Sequence, residues 1–329
     1  MNFDLEKATM FLAVHGSHAY GLNTPESDYD IRGVACPPQK VFFSPFTNFE
    51  QSEGSHTFVN NLVEKHFGIN VDTDDSNIFS LIKFVKLAAD CNPNIIELLF
   101  LPSRCKLFTT KAWEHLEEYR DEFISLKAKY TFSGYAFSQL KRIRNHKKWI
   151  DNPPVKPSRV DLKLPRNKIG GSEFLNSVLH IYKDKQINLS DEFVERVKKE
   201  KEYLDAMKNW TSYETWLKQR NKKRASLEAQ FSYDTKHASH LVRLLRVGLE
   251  ILETGKVNVD RTNIDADELR AIKNEGLWSY DKLMEWSETT EKKMDRLYIE
   301  NPLGLPKHAN INLIEKICLE AMEIFYKSQ

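Results

Sequence analysis

Phe11-Leu-Ala-Val-His-Gly16-Ser17 and, after ten further residues, Asp28-Tyr-Asp30-Ile-Arg32-Gly-Val are the two stretches that decide how this chain reads. An apolar run that stops at Gly-Ser predicts a strand ending in a tight turn, because glycine lets backbone N–H groups approach an anion and a following helix start adds a positive dipole end. Such a turn suits a polyphosphate. In the second stretch, strand alternation would send Tyr29, Ile31 and Gly33 to one face and Asp28, Asp30 and Arg32 to the other. Two carboxylates sharing a face repel unless a cation lies between them, and Mg²⁺ binds one or two carboxylates together with phosphate oxygens. Arg32, two residues beyond Asp30, suits either triphosphate oxygens or an ion pair with Asp28 or Asp30.

Taken singly, a Gly-Ser turn and an Asp-x-Asp strand end are both commonplace. The combination at this spacing resembles the nucleotidyltransferase superfamily of DNA polymerase β, with its apolar strand, Gly-Ser or Gly-Gly, a short connection and Asp-x-Asp or Asp-x-Glu. The resemblance implies an α/β core and an NTP substrate.

Composition bounds the rest. At 329 residues the chain exceeds the usual single core, so two domains are expected, and 41% hydrophobic content is ample for burial. The net charge of +1 hides uneven placement: residues 141–168 carry ten Lys or Arg against two Asp, and residues 216–246 carry eight against Glu228 and Asp234. A polyanion would meet these blocks selectively. Cys36, Cys91, Cys105 and Cys318 show neither zinc spacing nor a disulfide framework. No apolar run approaches the ~20 residues of a membrane span, and the first residues do not form a signal peptide. The expectation is a soluble, cytoplasmic protein that makes no membrane contact.

Along the chain, residues 4–9 predict a lead-in helix, and His15 and His18 flank the turn as local hydrogen-bonding residues or phosphate contacts. Residues 41–49 and 57–63 are read as strands. From Ile78 the apolar positions 78, 81, 82 and 85 fall at helical spacing, with Asp75 or Ser76 as N-cap and a carboxylate cluster, Asp72, Asp74 and Asp75, just before. Residues 110–120 predict a helix. Residues 128–149 follow with aromatics and then a basic run in which Lys141, Arg144 and Lys148 share one helix side. That side is either a solvated face or an RNA-binding one. Residues 151–171, with four prolines, read as a linker or mobile loop. Helices are expected over 191–209 and 213–231. A last helix would bury Leu241, Leu244, Leu245 and Leu252 and align Lys236, His240 and Arg243 along another side.

Phe79-Ser-Leu-Ile-Lys-Phe-Val-Lys-Leu-Ala, Asn92-Pro-Asn-x-x-Glu97-Leu-Leu-Phe, Arg220-Asn-Lys-Lys-Arg-Ala-x-Leu-Glu and Tyr233-Asp-Thr-Lys-His-Ala-x-His-Leu-Val-Arg-Leu-Leu look like the RNA-repair-associated branch of that superfamily, found alongside RNA ligases. Ser232 departs from the glycine common there. A nucleotidyltransferase needs a third carboxylate to complete its metal geometry. The resemblance assigns it to the aspartate four residues before the aromatic, which is Asp75, with Asp74 and Asp72 as alternatives.

The expectations are therefore an α/β nucleotidyltransferase core with a small mixed sheet over residues 1–110, and a mainly helical domain over 111–329 that completes the cleft. By resemblance, the enzyme is a nucleotidyltransferase of the 2.7.7 class. Asp28, Asp30 and Asp75 would be the catalytic and metal-binding residues, holding two Mg²⁺ or alternatively Mn²⁺. Gly16, Ser17, Arg32, Lys236, His240 and Arg243 would bind the nucleotide. Lys141, Arg144 and Lys148 would bind RNA, the acceptor would be an RNA or tRNA 3′ end, and the function would be linked to an RNA ligase. Nucleotidylylation (AMPylation) of a protein hydroxyl and a non-catalytic RNA-binding module are the rival functions.

Overall fold

The computed structural model describes residues 3–68, 76–183, 189–220 and 222–329. Asp72, Asp74 and Asp75 lie outside the described residues. The strands are β1 (Thr9–Val14), β2 (Ile31–Ala35), β3 (Gln51–Glu53), β4 (Ser76–Ser80) and β5 (Lys106–Thr109). They form one sheet in the order β3-β4-β2-β1-β5. β1 runs antiparallel to β2 and β5, β3 antiparallel to β4, and β2 parallel to β4, so the sheet is mixed. Among the helices that precede β5 are α1 (Leu5–Ala8), α2 (Gly16–Ala19), α3 (Gln39–Phe43), α4 (Thr57–Phe67), α5 (Leu81–Ala89) and α6 (Pro93–Ile96). After β5 come α7 (Lys111–Glu118), α8 (Lys127–Asp151), α9 (Ser172–Lys183), α10 (Asp191–Gln219) and α11 (Lys222–Phe231). The C-terminal helices are α12 (Thr235–Thr254), α13 (Ala266–Glu275), α14 (Tyr280–Glu300) and α15 (Ile311–Lys327). The fold is a small mixed sheet with helices, followed by a largely helical region.

β1 is buried along its whole length, as befits an apolar central strand. Alternation sends Leu12 and Val14 into a cluster with Ile31, Ile78, Val59 and Val63. Phe11 stacks on Trp113 of α7 at 3.9 Å, with Phe84 of α5 at 5.1 Å from the same indole. Gly33 allows β2 to approach β1 closely: a Cβ there would stand 2.6 Å from Leu12 Cδ2 and 2.9 Å from the Phe11 carbonyl oxygen.

Four local expectations are corrected. Residues 57–63 belong to helix α4, because Val59 and Val63 repeat at i, i+4 and bury together, and Gly68 ends the helix in the left-handed region. Residues 41–49 hold the end of α3 and a loop. The helix expected from Ile78 starts at Leu81, N-capped by Ser80, whose hydroxyl accepts from the Lys83 N–H. Residues 76–80 extend instead as β4, in register beside β2 from Ile31↔Ser76 to Ala35↔Ser80. The expected helices at 191–209 and 213–231 are differently divided, since α10 runs unbroken through residues 210–212 and ends at Gln219.

The chain divides into two compact units, residues 1–142 with 235–329, and residues 143–234. In the first, α15 packs on α5 and α7, and α12 on α13 and α14. This division does not fall at residue 110. The C-terminal helices share the unit of the sheet, and Tyr326 Oη donates to the Pro37 carbonyl oxygen at 2.6 Å. In the second unit α9 packs against α10, and Trp149 Nε1 donates to Asn209 Oδ1 at 3.0 Å. Among the described residues no helix is long and apolar enough to cross a membrane. All four cysteines are free and buried.

Candidate active site

β1 ends at Val14, and the next backbone N–H, that of His15, donates to the Asp30 carbonyl oxygen at 2.7 Å. This bond aligns the exit of β1 with the entry to β2. Gly16 follows at φ +61° and opens α2. A Cβ on Gly16 would fall 1.9 Å from Asp30 Oδ2, so the Asp30 carboxylate sits directly on the glycine. Only a residue without a Cβ fits both the backbone angle and that approach. The turn and Asp30, well separated in sequence, thus meet in space.

Asp28, Tyr29 and Asp30 immediately precede β2 and are not part of it. Asp28 is exposed and Asp30 half-buried. Tyr29 stacks on His18 of α2 at 4.2 Å, which holds the carboxylate segment against the turn. Arg32, inside β2, donates from Nη1 to the Ile31 carbonyl oxygen at 3.0 Å. Ser76, at the start of β4, is paired beside Ile31, so β4 begins next to the point where the Asp-x-Asp segment enters β2.

A cleft of about 280 Å³ opens beside the turn, lined by Ser17 and Tyr20 together with Gln139, Lys236, His240 and Arg243. The structure therefore brings Ser17 together with the whole expected row on α12. The three members of that row differ. Lys236 is exposed, His240 is half-buried, and Arg243 is 1% exposed. Burial of the ring, reinforced by the Arg243 charge, holds the His240 pKa down to about 3, so its imidazole is neutral.

Arg243 belongs to a network centred on Glu97, which has no solvent exposure. Arg243 Nη1 donates to Glu97 Oε1, Tyr20 Oη donates to Glu97 Oε2 at 2.8 Å, and His15 Nε2 lies 3.4 Å from Glu97 Oε2. The guanidinium also stacks over the Tyr20 ring at 3.7 Å. Burial alone would raise the Glu97 pKa; Arg243, with His15, overrides it and holds the carboxyl at about 2. Arg243 Nε and Nη2 have no hydrogen-bond partner among the described residues. His15 and Tyr20 lie on either side of residues 16–19, so Glu97 braces the turn against α12.

Other arginines clamp the same turn. Arg104 Nη1 donates to the His18 carbonyl oxygen at 2.7 Å while its Nη2 pairs with Asp260 at 2.8 Å. Arg270 of α13 donates to the Gly21 carbonyl oxygen at 2.6 Å, and the Arg261 backbone N–H reaches the Tyr20 carbonyl oxygen at 3.1 Å. The sequence reading missed the clamps and the role of Glu97. A single glutamate inside Ile95-Ile-Glu-Leu-Leu-Phe100 was the available signal, because a charge in an apolar run must find a buried partner. Lys141, Arg144 and Lys148 are exposed on α8.

The first strand of the mixed sheet ends in a Gly-Ser turn and the second is entered through Asp-x-Asp, the arrangement expected from the resemblance to the DNA polymerase β superfamily. Residues 4–157, just under half of the chain, match the family RlaP, described as the RNA repair pathway DNA polymerase beta family. The chain is also 26% identical over 195 residues to an uncharacterized 38.9 kDa protein of Enterobacteria phage T4, covering 52% of this chain and 56% of that protein. The chain thus spans little more than half the length of this curated relative. No solved structure matches it.

Proposed function

We propose that this protein transfers a nucleoside monophosphate from an NTP to the 3′-hydroxyl of an RNA, with pyrophosphate as the leaving group. The observation that carries the reading is the contact between Gly16 and the Asp30 carboxylate, which joins a phosphate-sized turn to a metal-type carboxylate pair. Asp28 and Asp30, with Asp75 as the proposed third carboxylate, would supply an all-oxygen donor set suited to hard divalent cations such as Mg²⁺. When bound, such ions would lower the barrier by neutralising charge on the attacking and leaving oxygens. The backbone and hydroxyl of Gly16 and Ser17 would hold the β and γ phosphates, and Arg32 would stand at the carboxylate side of the site.

Lys236 and His240 face the cleft beside Ser17 and would contact the nucleotide; Arg243 would join them through its free guanidinium edge. A neutral His240 suits a hydrogen bond to base or sugar better than a phosphate contact. Lys141, Arg144 and Lys148 would meet the RNA backbone. The association of the family with RNA repair supports RNA as the acceptor, with a tRNA end and a partner RNA ligase as the narrower form of that reading.

The test incubates the protein with each α-labelled NTP, Mg²⁺ and either RNA or protein acceptors. Label on RNA is expected. Label on protein alone would replace this reading by protein nucleotidylylation.

A further inference from the structure

We infer that residues 152–171, within the 143–234 unit, form a preorganised basic loop that grips the phosphate backbone of the RNA acceptor, and that the Arg159–Glu200 ion pair holds it in shape. This rests on the reading that the acceptor is RNA. The charge of the chain supplies the first observation. Residues 143–234 contain 20 Lys or Arg against 13 Asp or Glu, a net +7, while the remainder has 28 against 34, a net −6. The overall +1 conceals one cationic unit and one anionic unit, and a polyanion would be drawn to the first.

Within that unit the loop is far more ordered than its prolines suggest. Arg159 makes a two-pronged ion pair with Glu200 of α10, Nη1 to Oε1 at 2.6 Å and Nη2 to Oε2 at 2.8 Å, and Glu200 is fully buried. The same guanidinium donates back to the loop, from Nε to the Pro165 carbonyl oxygen at 2.8 Å and from Nη2 to that of Asn167 at 3.3 Å. Leu164 is buried and its N–H donates to the Arg159 carbonyl oxygen at 2.9 Å. One arginine thus closes residues 159–167 on themselves and fastens them to α10.

The loop also lies along one side of α10. Arg159 stacks over Tyr203 at 5.1 Å, and Lys156 lies over Trp210 at 5.0 Å, seven residues or two turns further on. Its charged solvent face is mainly basic: Lys156, Lys163, Arg166 and Lys168 are exposed, with Asp161 the one acid between them, beside the exposed Val155 and Val160. A fixed row of cations loses little entropy when it meets a phosphate backbone. A solvated surface loop would need no buried ion pair to hold it.

The experiment measures binding of a short fluorescein-labelled single-stranded RNA to the full-length chain by anisotropy, without NTP or divalent ions, across about 50–200 mM salt. Changing Lys156, Lys163, Arg166 and Lys168 together to Gln should flatten the log–log salt dependence by about 3, at roughly 0.7 per lost single-strand contact. Arg159→Lys keeps the charge but loses the two-pronged geometry, and should weaken binding with the salt slope retained. An unchanged slope in the fourfold variant overturns the proposal, as does an Arg159→Lys variant that binds like wild type. Wild type that binds no RNA at the lowest salt overturns it in favour of an acidic protein partner. Because nothing is turned over, failure of nucleotidyl transfer to RNA would show in the labelling assay and leave this titration readable.

Discussion

Each compact unit holds a fully buried glutamate paired with an arginine, Glu97 with Arg243 and Glu200 with Arg159, and the two pairs differ in what they leave to water. Glu97 and Arg243 are both sealed, at 0% and 1% exposure, with Tyr20 and His15 on the same carboxylate. Glu200 is equally sealed, yet the side chain of Arg159 is 15% exposed and spends its remaining donors on loop carbonyls. The first pair fixes the turn that abuts Asp30 to the wall of the cleft. The second pins an irregular segment whose other side faces solvent. The same chemistry therefore serves rigidity in one unit and presentation in the other.

Removing one partner exposes the difference most strongly. Glu97→Ala leaves the Arg243 charge buried and uncompensated, and should cost about 3–5 kcal/mol in a denaturant titration. The double variant Glu97→Ala, Arg243→Met should recover much of that loss, because a buried pair replaced by apolar groups is often neutral. If the single variant were as stable as wild type, Glu97 would not be the brace described. Glu200→Ala should be milder, since Arg159 can turn to water, but it should release residues 159–167 to proteolysis. Equal losses in the two single variants would erase the distinction.

The smallest effect is on pH. The pKa of His240 is lowered to about 3, below the value of 6.5 for a free imidazole. Between these values the unfolded chain binds the proton and the folded chain does not. Stability contributed here is therefore present above about pH 6.5 and falls as the pH drops toward 3, by no more than about 1.4 kcal/mol per pH unit. His240→Asn should flatten the stability profile in that window. Glu97 acts lower, losing its contribution as the pH falls through about 2. A profile unaltered by His240→Asn would mean that the imidazole titrates normally in the cleft.

The sequence made the sheet end of the molecule legible because local chemistry dictates it. An apolar strand that meets Gly16-Ser17 is set to end in a tight turn, and Asp28 and Asp30, commonplace alone, gain meaning at this spacing from that turn. Leu241, Leu244, Leu245 and Leu252 gave α12 its buried side, and all four are buried there. The errors fell where two periodicities overlap. Residues 76–80 carry apolar groups compatible with both strand and helix, and pairing with β2 decides between them. Val59 and Val63 likewise satisfy either pattern over a short window. The clamps on residues 16–22 were invisible for another reason. Arg104, Arg261 and Arg270 reach backbone atoms from more than 80 residues away, and no spacing rule encodes that. Likewise, the proline-rich 151–171 stretch read as a linker because the partner of Arg159 lies 41 residues away in α10.

The central claim, transfer to an RNA 3′-hydroxyl at the carboxylates beside Gly16, is tested most directly with a blocked acceptor. Wild type and Asp30→Asn are each incubated with α-labelled NTP, Mg²⁺ and RNA carrying either a free 3′-hydroxyl or a 3′-deoxy end. The account predicts label only with wild type and the free hydroxyl, while Asp30→Asn keeps the wild-type melting profile. Label on the 3′-deoxy RNA, or undiminished transfer by Asp30→Asn, would contradict it.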